Sequence, residues 1–472
     1  MIGSILIPMV VLAAGCGLAE LVAGRREARP LDRVLVSVAW GPGLAAGILA
    51  LTSFLGLALG FGSVGRPVLV VVLAAPIAVA WWRARRALRP SDTHDLDVRK
   101  YDAAARVGGL ALFSLVLAYG WNFAMWLGHR PLGSFDAMAI WTYRALEWYR
   151  SGAAFPTVVA ALTESKPGYP LMLPGLVVSQ FQLWGGETTV IPVATGWLFV
   201  AGVTAATVLG VARRTPLAVA LAAAALVLST PQVWRWAFAQ CADLPLAYLT
   251  LTAAVGLVDR IERGRSASTP AWLVGFFLGL MVWTKDEGLV LAVSLIAAAT
   301  VALRVGRGSL DRSDRLGLVL GSLPALVATA TFKIGWIGTG EAHRYLGPGL
   351  WQRVLDPARW REVTAAFLDR LVPVSGGQAW GLTLLLLVGL GLVAVLGQRA
   401  IDDRTPLVIF GGPVVMVLAI DAAIYLASPE PLAWHLRTSL DRLWLQLLPI
   451  AVVAVFIAVG QPDRGAPSTD HG

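Results

Sequence analysis

The fold class this sequence predicts is an all-α integral membrane protein, a polytopic bundle of about 13 transmembrane helices with short interfacial helices on its external side. Three observations predict it. Of 472 residues, 57% are hydrophobic and only 14% charged, which is more apolar surface than one soluble core can hide. Apolar blocks of roughly 15 to 25 residues recur from end to end, each about long enough to cross ~30 Å of hydrocarbon. The basic residues gather in short clusters between those blocks. A span in lipid must satisfy its own backbone hydrogen bonds, so the blocks are read as helices. The net charge of +9 does not argue for a nucleic-acid partner, because the arginines form no continuous polar face.

Short loops rich in arginine stay cytoplasmic, which gives the chain a direction. "RREARPLDR" (25–33), "WRARRALRP" (82–90), "DRIERGR" (259–265), "RVGRGSLDRSDR" (304–315), "QRAIDDR" (398–404) and the tail from Gln461 are placed inside. They alternate with "CADLP" (241–245), "WTKDEG" (283–288), a loop at 339–378 and "PEPLAWHLRTSLDR" (429–442), all then outside. The expected location is the plasma (inner) membrane, multi-pass, with the N-terminus outside and the C-terminus cytoplasmic. "LAAGC" (12–16) has the outline of a lipoprotein cleavage site, but no positive residue precedes it, so an uncleaved first helix is expected. Cys16 and Cys241 should lie at different depths, which supports neither a disulfide nor a metal pair.

Between Asp136 and Asp243 three apolar blocks occur where the sidedness requires an even number of crossings. The block that does not cross is assigned to "KPGYPLMLPGLVVSQF" (166–181), whose Pro167, Pro170 and Pro174 remove helix donors and favour a bent, surface-lying or re-entrant segment. The organisation is then three N-terminal helices (1–105) without an assigned role, a core (106–338) with an external loop at 129–186, the external loop 339–378, C-terminal membrane helices (379–460) and a cytoplasmic tail (461–472) expected to be disordered.

Four stretches on the external side carry the chemistry. In "GSFDAMAIWTYRALEWYRSG" (133–152), helical spacing puts Ala137, Trp141, Ala145 and Trp148 on one side, the pattern of a helix resting its aromatic face in the headgroup layer. Asp136 at its head either caps it or does chemistry. Asp243 in "RWAFAQCADLPLAYL" (235–249) has the same two readings. In "VWTKDEGLVL" (282–291), Lys285, Asp286 and Glu287 split two apolar blocks and face a cavity or a partner, unless they form a plain turn. The lysines are at 100, 166, 285 and 333, and at least three are expected in the outer half. "WHLRTSLDRLWLQLLP" (434–449) collects His435, Arg437, Asp441 and Arg442, whose arginines need Asp441 or a lipid phosphate as partner.

In this order these pieces resemble the GT-C superfamily of polytopic glycosyltransferases, in particular the protein O-mannosyltransferase and lipid A aminoarabinose transferase branch. The matching text is "SFDAMAIW", "KPGYPLMLP", "CADLPLA" and "WTKDEGL", over roughly residues 107–305 and with 429–449 added. Two departures are three extra spans at the start and a lone Asp136 in place of an acidic pair. The resemblance implies a GT-C-like fold and an inverting glycosyltransferase that moves a sugar from a polyprenyl-phosphate donor to a lipid, glycan or protein acceptor on the extracytoplasmic face. It implies Asp136 as general base, with Asp243, Glu287, Lys166 and Tyr169 positioning acceptor or donor. A departing phosphate carries its own charge and needs fixed cations, for which Lys285, His435, Arg437 and Arg442 stand as donors. Asp243, Asp286 and Glu287 are the oxygen set a Mg²⁺ or Mn²⁺ ion would use. The rival readings are a transporter or flippase for a lipid-linked or anionic substrate, which predicts ionisable groups in both membrane halves, and a membrane scaffold.

Overall fold

The computed structural model describes residues 2–22, 30–62, 65–87, 103–162, 168–306, 308–337, 347, 349–371 and 404–460. Every regular element among them is helical, as an apolar solvent demands. In chain order they are α1 (Ile2–Val22), α2 (Pro30–Ala58), α3 (Arg66–Ala87), α4 (Ala103–His129), a π-helical turn (Ala137–Trp141) running into α5 (Thr142–Ser151), α6 (Phe155–Ala161), α7 (Met172–Trp184), α8 (Val190–Ala194) and α9 (Gly196–Ala212). There follow α10 (Leu217–Ser229), α11 (Pro231–Ala237), α12 (Asp243–Arg263), α13 (Ala271–Thr284), α14 (Glu287–Val305), α15 (Arg312–Ala330) with a π-helical tail (Thr331–Ile337), α16 (Leu350–Leu355), α17 (Pro357–Leu371), α18 (Thr405–Ala427) and α19 (Leu432–Gly460).

Among the described residues nine helices are long and apolar enough to cross a membrane, or ten if α10 and α11, bent by 65° at the Thr230–Pro231 junction, form one span. This is fewer than the roughly 13 expected from apolar blocks. Of the remaining blocks, Ala271–Thr284 forms a shorter apolar helix, and in α3 the apolar stretch covers Arg66–Val79. The 14 residues of α13 rise only about 21 Å. The block expected between 379 and 398 and the tail from 461 lie outside the described residues. The outward surface is what lipid requires: Leu110, Phe113, Leu117 and Trp121 on α4, and Leu289, Val293 and Ile296 on α14, are exposed.

Two expectations about the 133–186 region change. The face made by Ala137, Trp141, Ala145 and Trp148 is buried in protein, not laid in headgroups. Trp148 stacks on Phe155 at 5.3 Å and Trp141 packs on Tyr169 at 5.4 Å. The proline-rich segment is not surface-lying either: α7 is short, almost wholly buried, and seated on α2, where Ser179 donates to the Leu49 carbonyl at 2.9 Å. A thirteen-residue helix ended by Gly185 at φ 88° is too short to span, and protein buries almost all of it, its Ser179 and Gln180 side chains included.

The N-terminal helices are part of the core. α2 packs on α7 and α9, and the Tyr248 hydroxyl on α12 donates to the Ala39 carbonyl at 2.7 Å and accepts from the Gly43 N–H at 2.9 Å. α13 and α15 approach so closely that a Cβ at Gly321 would sit 1.9 Å from the Trp272 carbonyl oxygen. Gly321→Ala must push the two helices apart, and overpacking of this kind costs about 1–3 kcal/mol. A lowered thermal midpoint by tryptophan fluorescence checks it; an unchanged midpoint would mean the pair slides freely.

The helix ends form two groups. At one end Arg213 meets Asp259 at 3.3 Å, Arg265 meets Asp311 at 3.4 Å, and Arg214 pairs with Glu262 and Arg260 with Asp314. There Asp311 caps α15 by accepting from the Asp314 N–H at 2.8 Å, and the Ser313 hydroxyl with that N–H hold its carboxyl down at about 2. The other end carries Asp136, Asp243, the 285–287 turn and the start of α19.

Candidate active site

Asp136 reaches the site because two loops are sewn together. Ser134 donates its N–H to the Ala239 carbonyl at 3.2 Å, and the Gln240 amide donates to the Pro131 carbonyl at 3.0 Å while its oxygen accepts from the Thr142 hydroxyl at 2.6 Å. Gln240 itself sits at φ 61°, a left-handed conformation that a glutamine adopts only when its surroundings hold it. Gly133, at φ 80°, permits the close approach, since a Cβ there would lie 2.9 Å from the Ala239 oxygen. Beside it the Ser134 hydroxyl touches the Cys241 sulfur at 3.0 Å, and burial pushes that thiol up to about 12. Cys16 and Cys241 are both free.

Asp243 opens α12 but does not cap it, and neither does Asp136 cap the turn that follows it. The capping readings therefore fail, and both carboxylates turn to Arg442 of α19. Arg442 donates Nε to Asp243 Oδ2 at 2.9 Å and a terminal nitrogen to Asp136. Its guanidinium lies 5.2 Å over the Trp236 ring. Asp243, fully buried, also accepts at Oδ1 from Lys285 Nζ at 3.0 Å and from the Gln446 amide at 2.9 Å. Three donors are what a buried carboxylate needs to stay ionised.

Lys285 follows α13 in an extended conformation, φ −160°, that carries it inward, and it bridges Asp243 to Glu287, 2.8 Å away. Burial works against this ammonium, but the Asp243 and Glu287 carboxylates outweigh it and hold the lysine above its ordinary range. Gly288 lets the turn close: a Cβ there would stand 1.8 Å from the Met281 carbonyl. Tyr169 lies near enough that Glu287, Lys285 and Arg442 all act on its hydroxyl, which burial raises.

Asp136, Asp243, Lys285, Glu287 and Arg442, with Tyr169 at the edge, thus meet at one end of the bundle. Other expected residues do not join them. His435 bonds the Ser428 hydroxyl at 2.9 Å and packs on Tyr425, two turns along α19 from Arg442. Arg437 lies on another side of α19 and, with Arg370, Leu368 and Leu436, lines a groove of about 740 Å³ against α17. Asp441 pairs with Arg370 at 2.7 Å. Asp286 turns outward to Lys333, which places Lys285 and Lys333 at this end; Lys100 and Lys166 lie outside the described residues.

The metal set separates accordingly. Among the described residues no three His, Cys, Asp or Glu side chains come together as ligands, and Asp243 is already filled by three donors. Gln446, Gln240 and Trp236 are site residues that sequence reading missed. For Gln446 a signal existed, because it follows Arg442 by four residues and so shares its helical face. Comparison with protein-family models, with curated proteins and with solved structures finds no match to this chain.

Proposed function

We propose that this protein is an inverting glycosyltransferase that moves a sugar from a polyprenyl phosphate to a hydroxyl of a lipid, glycan or protein acceptor. The observation that carries the reading is the convergence on Arg442 of two aspartates that lie about a hundred residues apart in the chain. In this reading Arg442 serves two anions in turn. At rest it is shared by Asp136 and Asp243; an entering donor phosphate competes for the nitrogen that Asp136 holds, because guanidinium binds phosphate in the same forked geometry. Asp136, partly exposed and so released, is the base that accepts the acceptor's proton. The acceptor oxygen then bonds the anomeric carbon from the far face, the bond to the phosphate oxygen breaks, and polyprenyl phosphate leaves with that electron pair beside Arg442 and Lys285. Asp243, ionised and saturated, holds both cations in place.

The groove against α17 suits the lipid part of the donor, and α16 and α17 roof that side: Arg353 donates to the Ala427 carbonyl at 2.9 Å and Arg359 to the Tyr425 carbonyl at 2.7 Å. The cationic end of the bundle then faces the cytoplasm and the site faces outward, in a GT-C-like arrangement of spans in the plasma membrane.

Incubating the purified protein with a polyprenyl-phosphate-linked hexose should release polyprenyl phosphate. Asp136→Asn is expected to slow release by about 10²–10⁴-fold while donor binding is retained. Unchanged release would remove Asp136 from the mechanism, and no release by the wild type with any sugar donor would remove the reading.

A further inference from the structure

The ion pairs around Arg442 leave particular atoms over. Glu287 gives Oε1 to Lys285, but its Oε2 is buried with no donor. Asp421 lies about a turn and a half inside the end of α18, only 3% exposed, and its Oδ2 has no donor either. α18 packs antiparallel along α14, with Gly412 against Ala298 and Thr405 against Gly306, a register that sets Asp421 level with the first turn of α14, which Glu287 opens. Across the cluster the indole N–H of Trp236, whose ring lies beneath Arg442, is a buried donor with no acceptor.

Buried polar groups without partners are costly, and here they border a cluster whose Asp243 is fully satisfied. We propose that Asp421 and Glu287 form a hydroxyl-reading arm of this site, and that what it takes is the polyhydroxylated head of the donor, the sugar, at a place distinct from its phosphate. The inference rests on the glycosyltransferase reading and adds a residue to it. A phosphate does not suit this arm. Its two free atoms, Glu287 Oε2 and Asp421 Oδ2, are both carboxyl oxygens, so an anion there would face acceptors alone, whereas one at Arg442 meets a donor fork.

An ammonium would suit two ionised carboxylates, but it has nothing to accept from the indole N–H and no use for a carboxyl in its neutral form. A hydroxyl both donates and accepts, so it matches Asp421 in either protonation state and matches the Trp236 N–H as well. A ring carrying several hydroxyls can meet acceptors on one side and a donor on the other. Recognition of this kind discriminates sharply, because a guest lacking the hydroxyl leaves the buried oxygens unmet.

The test uses the full-length protein in lipid nanodiscs and three ligands: a hexose-linked polyprenyl phosphate, bare polyprenyl phosphate and octylamine, titrated by tryptophan fluorescence. Asp421→Asn is expected to weaken binding of the hexose-linked ligand by roughly 10- to 100-fold, the scale of one hydrogen bond to a charged group. Binding of the bare phosphate should stay within about twofold, a split that a merely structural role would not produce. Should Asp421→Asn fail to fold, Asp421→Ser, whose hydroxyl can bond the backbone of its own helix, makes the same comparison. Equal losses for both phosphates, no loss for either, or a loss confined to octylamine would each overturn the arm. A wild type that binds bare polyprenyl phosphate but shows no Asp421 dependence sinks this inference alone, whereas one that binds neither phosphate ligand sinks the glycosyltransferase reading beneath it.

Discussion

Arg442→Met is expected to destabilise the protein by about 3–5 kcal/mol and to abolish transfer, the largest effect of any single substitution in the cluster. The physical reason is what remains behind. Methionine is close in length, so packing against Trp236 changes little, but Asp243 is left fully buried with one oxygen unpaired and Asp136 loses its only cation in the cluster. Breaking a buried pair from one side costs far more than the pair contributes net, because the surviving charge is stranded at low dielectric. Arg442→Lys keeps the charge without the fork, and an ammonium cannot span both carboxylates as guanidinium does. It should fold better than Arg442→Met and still fail to turn over. Thermal midpoints and product release together check this; a wild-type midpoint for Arg442→Met would show that Asp136 and Asp243 do not depend on it.

Lys285→Met is expected to cost about 3 kcal/mol or more, and to weaken phosphate release as well, since the site then holds three carboxylates against one cation. Asp243 keeps Arg442 and Gln446, but Glu287 loses the donor at Oε1 while its Oε2 already lacks one. The pH behaviour has a definite sign. The lysine is held above its ordinary value of 10.5 in the folded protein, so its stabilisation is fully present below that value and fades only as pH rises beyond it. Between about pH 6 and 9 the wild type should therefore show no loss of stability traceable to Lys285. The difference in thermal midpoint between wild type and Lys285→Met, measured across that interval, should stay constant; a gap that closes before pH 9 would mean the ammonium titrates early and is not doubly paired.

Parts of this site were legible in the sequence for simple reasons. An acid or a lysine beside a long apolar block stands out, because placing it there is costly, and Asp136, Asp243, Lys285 and Glu287 were all visible that way. The arginines of α19 were visible too, but not which of them mattered. Arg437 and Arg442 are five residues apart and so point in different directions, and only the neighbours of α19 decide that Arg442 looks at Asp243 while Arg437 looks at α17. The face of Trp141 and Trp148 was read correctly as a face and assigned the wrong cover. Periodicity says which residues share a side, and it carries no information on whether lipid or α7 lies against them.

The helices of 1–58 had no role in the linear reading, yet α2 is central. Its glycines make it narrow enough for Phe276, Phe277 and Tyr248 to close on it, a contact across some two hundred residues that leaves no local trace. By itself, then, the sequence determined that the chain is a helical membrane protein and where charge interrupts its apolar blocks, because both follow from the cost of putting polar groups into hydrocarbon, residue by residue. Which charges face one another, which of them are satisfied and which atoms are left over for a guest was decided only in three dimensions, because hydrogen bonds and ion pairs depend on distance, and distance between remote parts of a chain is set by how its helices pack.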